Sequence, residues 1–88
     1  MQMTIEALVE RRLENRKERR SAAKMASLYC RDLGFLKEHE MLERYIAGIP
    51  VDRTAAASRA SAMKGSHSKT TRLMGRVLQT CCAPVGEP

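Results

Sequence analysis

The sequence predicts an all-α protein: a small domain of three or four helices, with a long N-terminal helix, a short second helix and a basic C-terminal helix pair. Three observations predict it. The apolar mass comes from Leu, Ile, Val, Met and Ala, with Phe35, Tyr29 and Tyr45 the only aromatic residues; such a composition suits close helix packing better than a sheet of β-branched and aromatic residues. No Pro or Gly interrupts the chain from Thr4 to Leu33. Two later segments repeat apolar residues at helical spacing. A chain of 88 residues supports one domain and a modest core, since at this size only about 60–65% of the unfolded surface is buried.

The first helix is expected over roughly thirty residues, Thr4 to Leu33, with Thr4 as N-cap, Glu6 favoured by the dipole of the first turn and Gly34 just past the end. The chain restarts at once. In "FLKEHEMLERYIAG", Phe35, Met41, Leu42, Tyr45 and Ile46 share one face, and Lys37, Glu40, Glu43 and Arg44 the other. Gly48 and Pro50 end this second helix, and with only Gly34 between them the first two helices are expected to form a hairpin or corner. Asp52 is the expected N-cap of an Ala-rich third helix through "RTAAASRASAM", whose small side chains allow close approach but contribute little buried area. Ser68 or Thr70 caps a fourth, in which Leu73, Met74, Val77, Leu78 and Cys81 form one face and Gly75 weakens the helix by up to about 1 kcal/mol. The domain is expected over 1–83, and "PVGEP", within 84–88, as a frayed tail.

Sixteen Lys and Arg against ten Asp and Glu give a net charge of +6, which points to nucleic acid or an acidic protein surface as partner. No stretch approaches the ~20 apolar residues of a membrane span and no signal peptide precedes the first helix, so a cytoplasmic location is expected. The three cysteines, Cys30, Cys81 and Cys82, form no even disulfide framework and no zinc half-site, and no metal or cofactor is expected. No carboxylate pair, Ser/His/Asp set or phosphate-cradling glycine loop can be assembled from the spacing. His39 reads as a boundary residue and His67 as a loop residue, and the chain is not expected to be an enzyme.

The charge pattern is the most informative feature. On a continuous first helix, Glu6, Glu10, Glu14 and Glu18 form one column and Arg12, Arg16, Arg20 and Lys24 another, nearly opposite. From Arg16 to Ser21 no residue is apolar. Such a turn must be solvated or matched by something outside the fold, because an unpaired buried charge costs more than a small core can offset. A second basic set, Arg53, Arg59, Lys64, Lys69, Arg72 and Arg76, lies in a stretch with no acid between Asp52 and Glu87. That region is loosely similar to a helix-turn-helix, with Gly65 in the turn, but it has Thr71 where an apolar residue is usual and Ala where the preceding helix is expected to offer bulk.

The expected function is therefore that of a regulatory, non-enzymatic protein contacting DNA or RNA through Arg12, Arg16, Arg20 and Lys24, and secondarily through Lys69, Arg72 and Arg76. The alternative is a helical adaptor or inhibitor that binds another protein or its own copy. There Ile5, Val9 and Leu13 supply the affinity, and Glu10 and Glu14 the register.

Overall fold

The computed structural model describes residues 3–85, and its regular elements are all helical. The five α-helices are α1 (Ile5–Glu14), α2 (Arg19–Asp32), α3 (Leu36–Ala47), α4 (Arg53–Lys64) and α5 (Lys69–Cys82), with a short 3₁₀ turn at Arg16–Glu18 between the first two. The expected caps are in place. Thr4, Asp52 and Ser68 accept hydrogen bonds from Ala7, Ala55 and Thr71, and Gly34 and Gly48 adopt the positive φ that glycine tolerates beyond a helix end.

The long first helix is not continuous, which corrects both its length and the helix number. Asn15 takes an extended conformation, accepts from the Lys17 N–H through its side chain, and donates to Glu18 Oε1 at 2.8 Å. This is N-capping chemistry, with an Asn followed three residues later by a Glu that bonds back to it. The chain reverses here. Arg12 reaches Ser21 Oγ at 2.8 Å and Met25 Sδ at 3.6 Å, so α1 lies back along α2.

The reversal turns Val9 and Leu13 into the core with Ala22, Ala23, Ala26, Cys30 and Leu42. α1, α2 and α3 form one layer, and the α4–α5 hairpin packs across it mainly through α5, which contributes Leu73, Met74, Val77 and Leu78. In a helix-turn-helix the two helices cross steeply; α4 and α5 instead run side by side, in contact from Met63 and Gly75 near the turn to Arg53 and Pro84 at the far end.

Alanine and glycine set the distance between α4 and α5. A Cβ on Gly75 would stand 2.9 Å from Met63 Cβ, 2.9 Å from Lys64 Cγ and 3.0 Å from the Ala60 carbonyl oxygen. Helix propensity favours Ala over Gly by about 1 kcal/mol, but overpacking costs about 1–3 kcal/mol, and atoms this near the α4 backbone cannot swing aside. Overpacking therefore wins, and Gly75→Ala is expected to lower stability by about 1–2 kcal/mol, read as a lower midpoint in urea denaturation. A higher midpoint would show that α4 and α5 have room between them.

Candidate nucleic-acid interface

Five of the eleven arginines are held on backbone carbonyls at or just beyond helix ends. Arg19 Nε donates to Leu13 O at the end of α1 at 3.0 Å, and Arg20 donates to Ile46 O at the end of α3. Beyond α4, Arg72 donates to Ser66 O at 3.0 Å and His67 O at 2.8 Å, while beyond α5 Arg53 donates to Pro84 O. Arg44 Nε bonds Pro50 O at 2.9 Å after α3. The C-terminal carbonyls of a helix are unpaired and carry partial negative charge, so a guanidinium satisfies both needs. Part of the basic excess is thus structural.

The break at Asn15 dissolves the basic column expected on one helix. Arg12 turns inward to Ser21 and lies 3.9 Å from Glu18, whereas Arg16, Arg20 and Lys24 are exposed. From Arg16 to Ser21 no residue is buried. Residue types alone established that much. On α2 itself Arg20, Lys24 and Arg31 follow at spacings of four and seven, which keeps them within about 40° of one another along about 16 Å of helix. Arg16 and Lys17 extend this stripe at the corner, their side chains exposed and without an ion-pair or hydrogen-bond partner among the described residues, whereas Arg20 is bonded to Ile46 O and Arg31 lies 3.4 Å from Asp32. Lys17 and Arg31 were not in the expected set. The Asn15–Glu18 capping pattern in "NRKE" is the signal that would have re-phased the helix and found them.

The second expected set meets an acidic neighbour. Glu6 and Glu10 of α1 line a cleft of about 210 Å³ with Lys69, Arg72 and Arg76 of α5. Arg76 Nη1 is 3.0 Å from Glu10 Oε2, and Thr70 donates to Glu6 at 3.3 Å. Glu10 is therefore committed within the chain, while Glu14 is exposed. The two basic sets are not brought together. Arg19, next to Arg20 in the chain, lies beside Gln79, Thr80 and Pro84 at the C-terminal end of α5, and Lys69 begins that helix, about 15 Å from Gln79 along its axis. Of the residues expected to form a protein interface, Val9 and Leu13 are buried in the chain's own core, and Ile5 is 54% exposed.

Two polar clusters that the spacing did not reveal tie α3 to its neighbours. Ser27, fully buried, donates its hydroxyl proton to Glu43 Oε2 at 2.6 Å. His39 Nδ1 lies 2.8 Å from the same hydroxyl oxygen and 2.9 Å from the Ser27 carbonyl oxygen. A carbonyl only accepts, so Nδ1 carries the proton and donates. Such a histidine does not draw a proton from Ser27, which is the reverse of nucleophile activation. On the other side of α3, Glu38 is 6% exposed and pairs with Arg59 of α4 at 3.2 Å. Among the described residues, no three His, Cys, Asp or Glu side chains stand where they could hold a metal ion, and no helix is long and apolar enough to cross a membrane.

The class these features define is a small, basic, all-helical protein with a cationic corner at Arg16 and Lys17, whose side chains have no ion-pair partner among the described residues. No family model matches the chain, and neither a curated protein nor a solved structure shows significant similarity to it.

Burial pushes the thiols of Cys30 and Cys82 up to about 12 and that of Cys81 up to about 11; the charge of Glu38 adds to the first. Free in the unfolded chain they ionise near 9.0, so above that pH the folded form holds more protons. Their contribution is complete below pH 9 and is lost as the pH rises towards 12. The urea midpoint is expected to be lower at pH 10.5 than at pH 8, and Cys30→Ala with Cys82→Ala to flatten part of that fall. An unchanged midpoint between the two pH values would place the thiols in water.

Proposed function

We propose that the protein binds nucleic acid through the corner between α1 and α2 and the stripe that follows it, Arg16, Lys17, Arg20, Lys24 and Arg31. The observation that carries this function is the projection of Arg16 and Lys17 from a turn with no apolar residue, their side chains forming no ion pair among the described residues although Glu14 and Glu18 flank them. Like charges set side by side on a helix are mildly unfavourable for the fold alone. A phosphate backbone supplies the missing counter-charge at the spacing such a stripe can follow. Lys69, Arg72 and Arg76 are secondary here, because Glu6 and Glu10 already share their cleft. Nothing in the assembled polar clusters suggests chemistry on the bound strand, so a binding and regulatory role is proposed.

A contact with another protein draws support from a different observation. Leu33 and Leu36, at the turn between α2 and α3, are 49% and 63% exposed, and Leu28 is 50% exposed one turn before. With Val9 and Leu13 buried, these leucines group the exposed apolar side chains at one end of α2, apart from Ile5 at the start of α1.

Salt separates the two. Neutralising about four phosphates gives a slope of about −3.6 in log affinity against log salt for duplex DNA, so raising salt from 50 to 200 mM is expected to weaken binding by roughly 100-fold. Arg16→Glu with Lys17→Glu, both exposed, is expected to keep the helical circular dichroism and to lower affinity at least tenfold at 100 mM salt. Binding indifferent to salt and to this double substitution, but lost in Leu36→Asp, would make the protein contact the correct function.

A further inference from the structure

At the opposite end of α2 from the corner, a groove of about 300 Å³ opens between the start of α3, the end of α4 and the start of α5. Phe35, Ala62 and Met63 form its apolar wall, and Glu38, Arg59, Ser66 and Thr71 its polar one. Its size matches the lower range of ligand sites.

The Glu38–Arg59 pair is unusual within this fold. Glu38 is the one charged residue in the buried class among the described residues, and its single partner is one nitrogen of Arg59. A carboxylate can accept about four hydrogen bonds and a guanidinium can donate five. Much of the capacity of both groups is therefore unused, although no fully enclosed side-chain oxygen or nitrogen lacks a partner. The unused positions of Glu38 accordingly open towards the groove and are not sealed in the core. Side by side, the two groups present an acceptor and then a donor, beside an aromatic residue.

We propose that this groove holds one unpaired guanine base of a single-stranded nucleic acid whose backbone lies along Arg20, Lys24 and Arg31. Phe35 supplies the stacking surface, Glu38 accepts from the N1 and N2 hydrogens of the base, and Arg59 donates to O6. Of the common bases, guanine alone offers two adjacent ring-edge donor nitrogens followed by an acceptor, which is the complement of a carboxylate beside a guanidinium. Arg31, the last exposed cation of α2, stands four residues before Phe35 in the chain, so the cations of α2 lead towards the turn that carries the stacking residue.

This proposal rests on the nucleic-acid-binding function above, and its test distinguishes the two. Fluorescent twelve-nucleotide oligothymidine strands carrying one central guanine, inosine, adenine or thymine are titrated with the protein at 50 mM salt. Guanine is expected to bind about tenfold more tightly than thymine, and inosine, which lacks the N2 amino group, to lose most of that gain while the protein is unchanged. Glu38→Gln, checked for folding by circular dichroism, is expected to level guanine and inosine. Equal affinity for all four strands, still abolished by Arg16→Glu with Lys17→Glu, would overturn the base site and leave the phosphate stripe standing. Absence of binding by every strand and by duplex DNA would overturn both.

Discussion

The reversal at Asn15 is the constraint on which the remaining structure depends. A single helix from Thr4 to Leu33 would carry Val9 and Leu13 some distance from the core partners they now meet, and α2 would offer Ala22, Ala23 and Ala26 to nothing of sufficient bulk. Folding α1 back along α2 supplies that bulk. The cap has to be strong enough to interrupt a run of good helix formers. It does so with several local bonds: the Asn15 side chain on the Lys17 N–H, the Asn15 amide on Glu18, and Arg19 reaching across the break to Leu13 O. Each is worth about a kilocalorie per mole, comparable with the few tenths per residue by which helix propensities differ.

The same reversal sorts the charges. Once α1 lies beside α5, Glu6 and Glu10 face Lys69, Arg72 and Arg76, and the acid-free C-terminal half obtains its acids from the N-terminal helix. Glu38 does the same for Arg59 from α3. Arg16 and Lys17, where the chain turns, and Lys24 on α2 remain exposed with no ion pair among the described residues, while Arg20 is bonded to Ile46 O and Arg31 lies 3.4 Å from Asp32. A charge asymmetry that belongs to the C-terminal half of the sequence is thus offset there by acids from the N-terminal helix, and the exposed cations without ion pairs include those at the corner between α1 and α2. The exposed ion pairs contribute little to stability individually, but they decide which cations stay available.

Features fixed by neighbours in the chain were legible, and features fixed by packing were not. Thr4, Gly34, Gly48, Asp52 and Ser68 mark helix ends because each acts on backbone groups within a few residues, and all five stand where their chemistry placed them. Asn15 and Glu18 are equally local. They were overlooked because a thirty-residue stretch without Pro or Gly favours continuity when propensities are summed. The burial of Val9 and Leu13, the pairing of Glu10 with Arg76 across 66 positions, and the meeting of Ser27, His39 and Glu43 depend on how helices lie against one another. No spacing in the sequence encodes them. For the charged segment itself the division is clear: residue types established that Arg16 to Ser21 stays out of the core, and only the geometry assigned its members to a stripe or to internal contacts.

The arginines seated on the ends of α1, α3, α4 and α5 have one more consequence. Their acceptors are amide oxygens, which hold no titratable proton at ordinary pH, and a guanidinium keeps its charge far beyond neutrality. The clamps of Arg19, Arg20, Arg53 and Arg72 each tie one helix to the end of another, so this part of the packing does not depend on the protonation of any carboxylate.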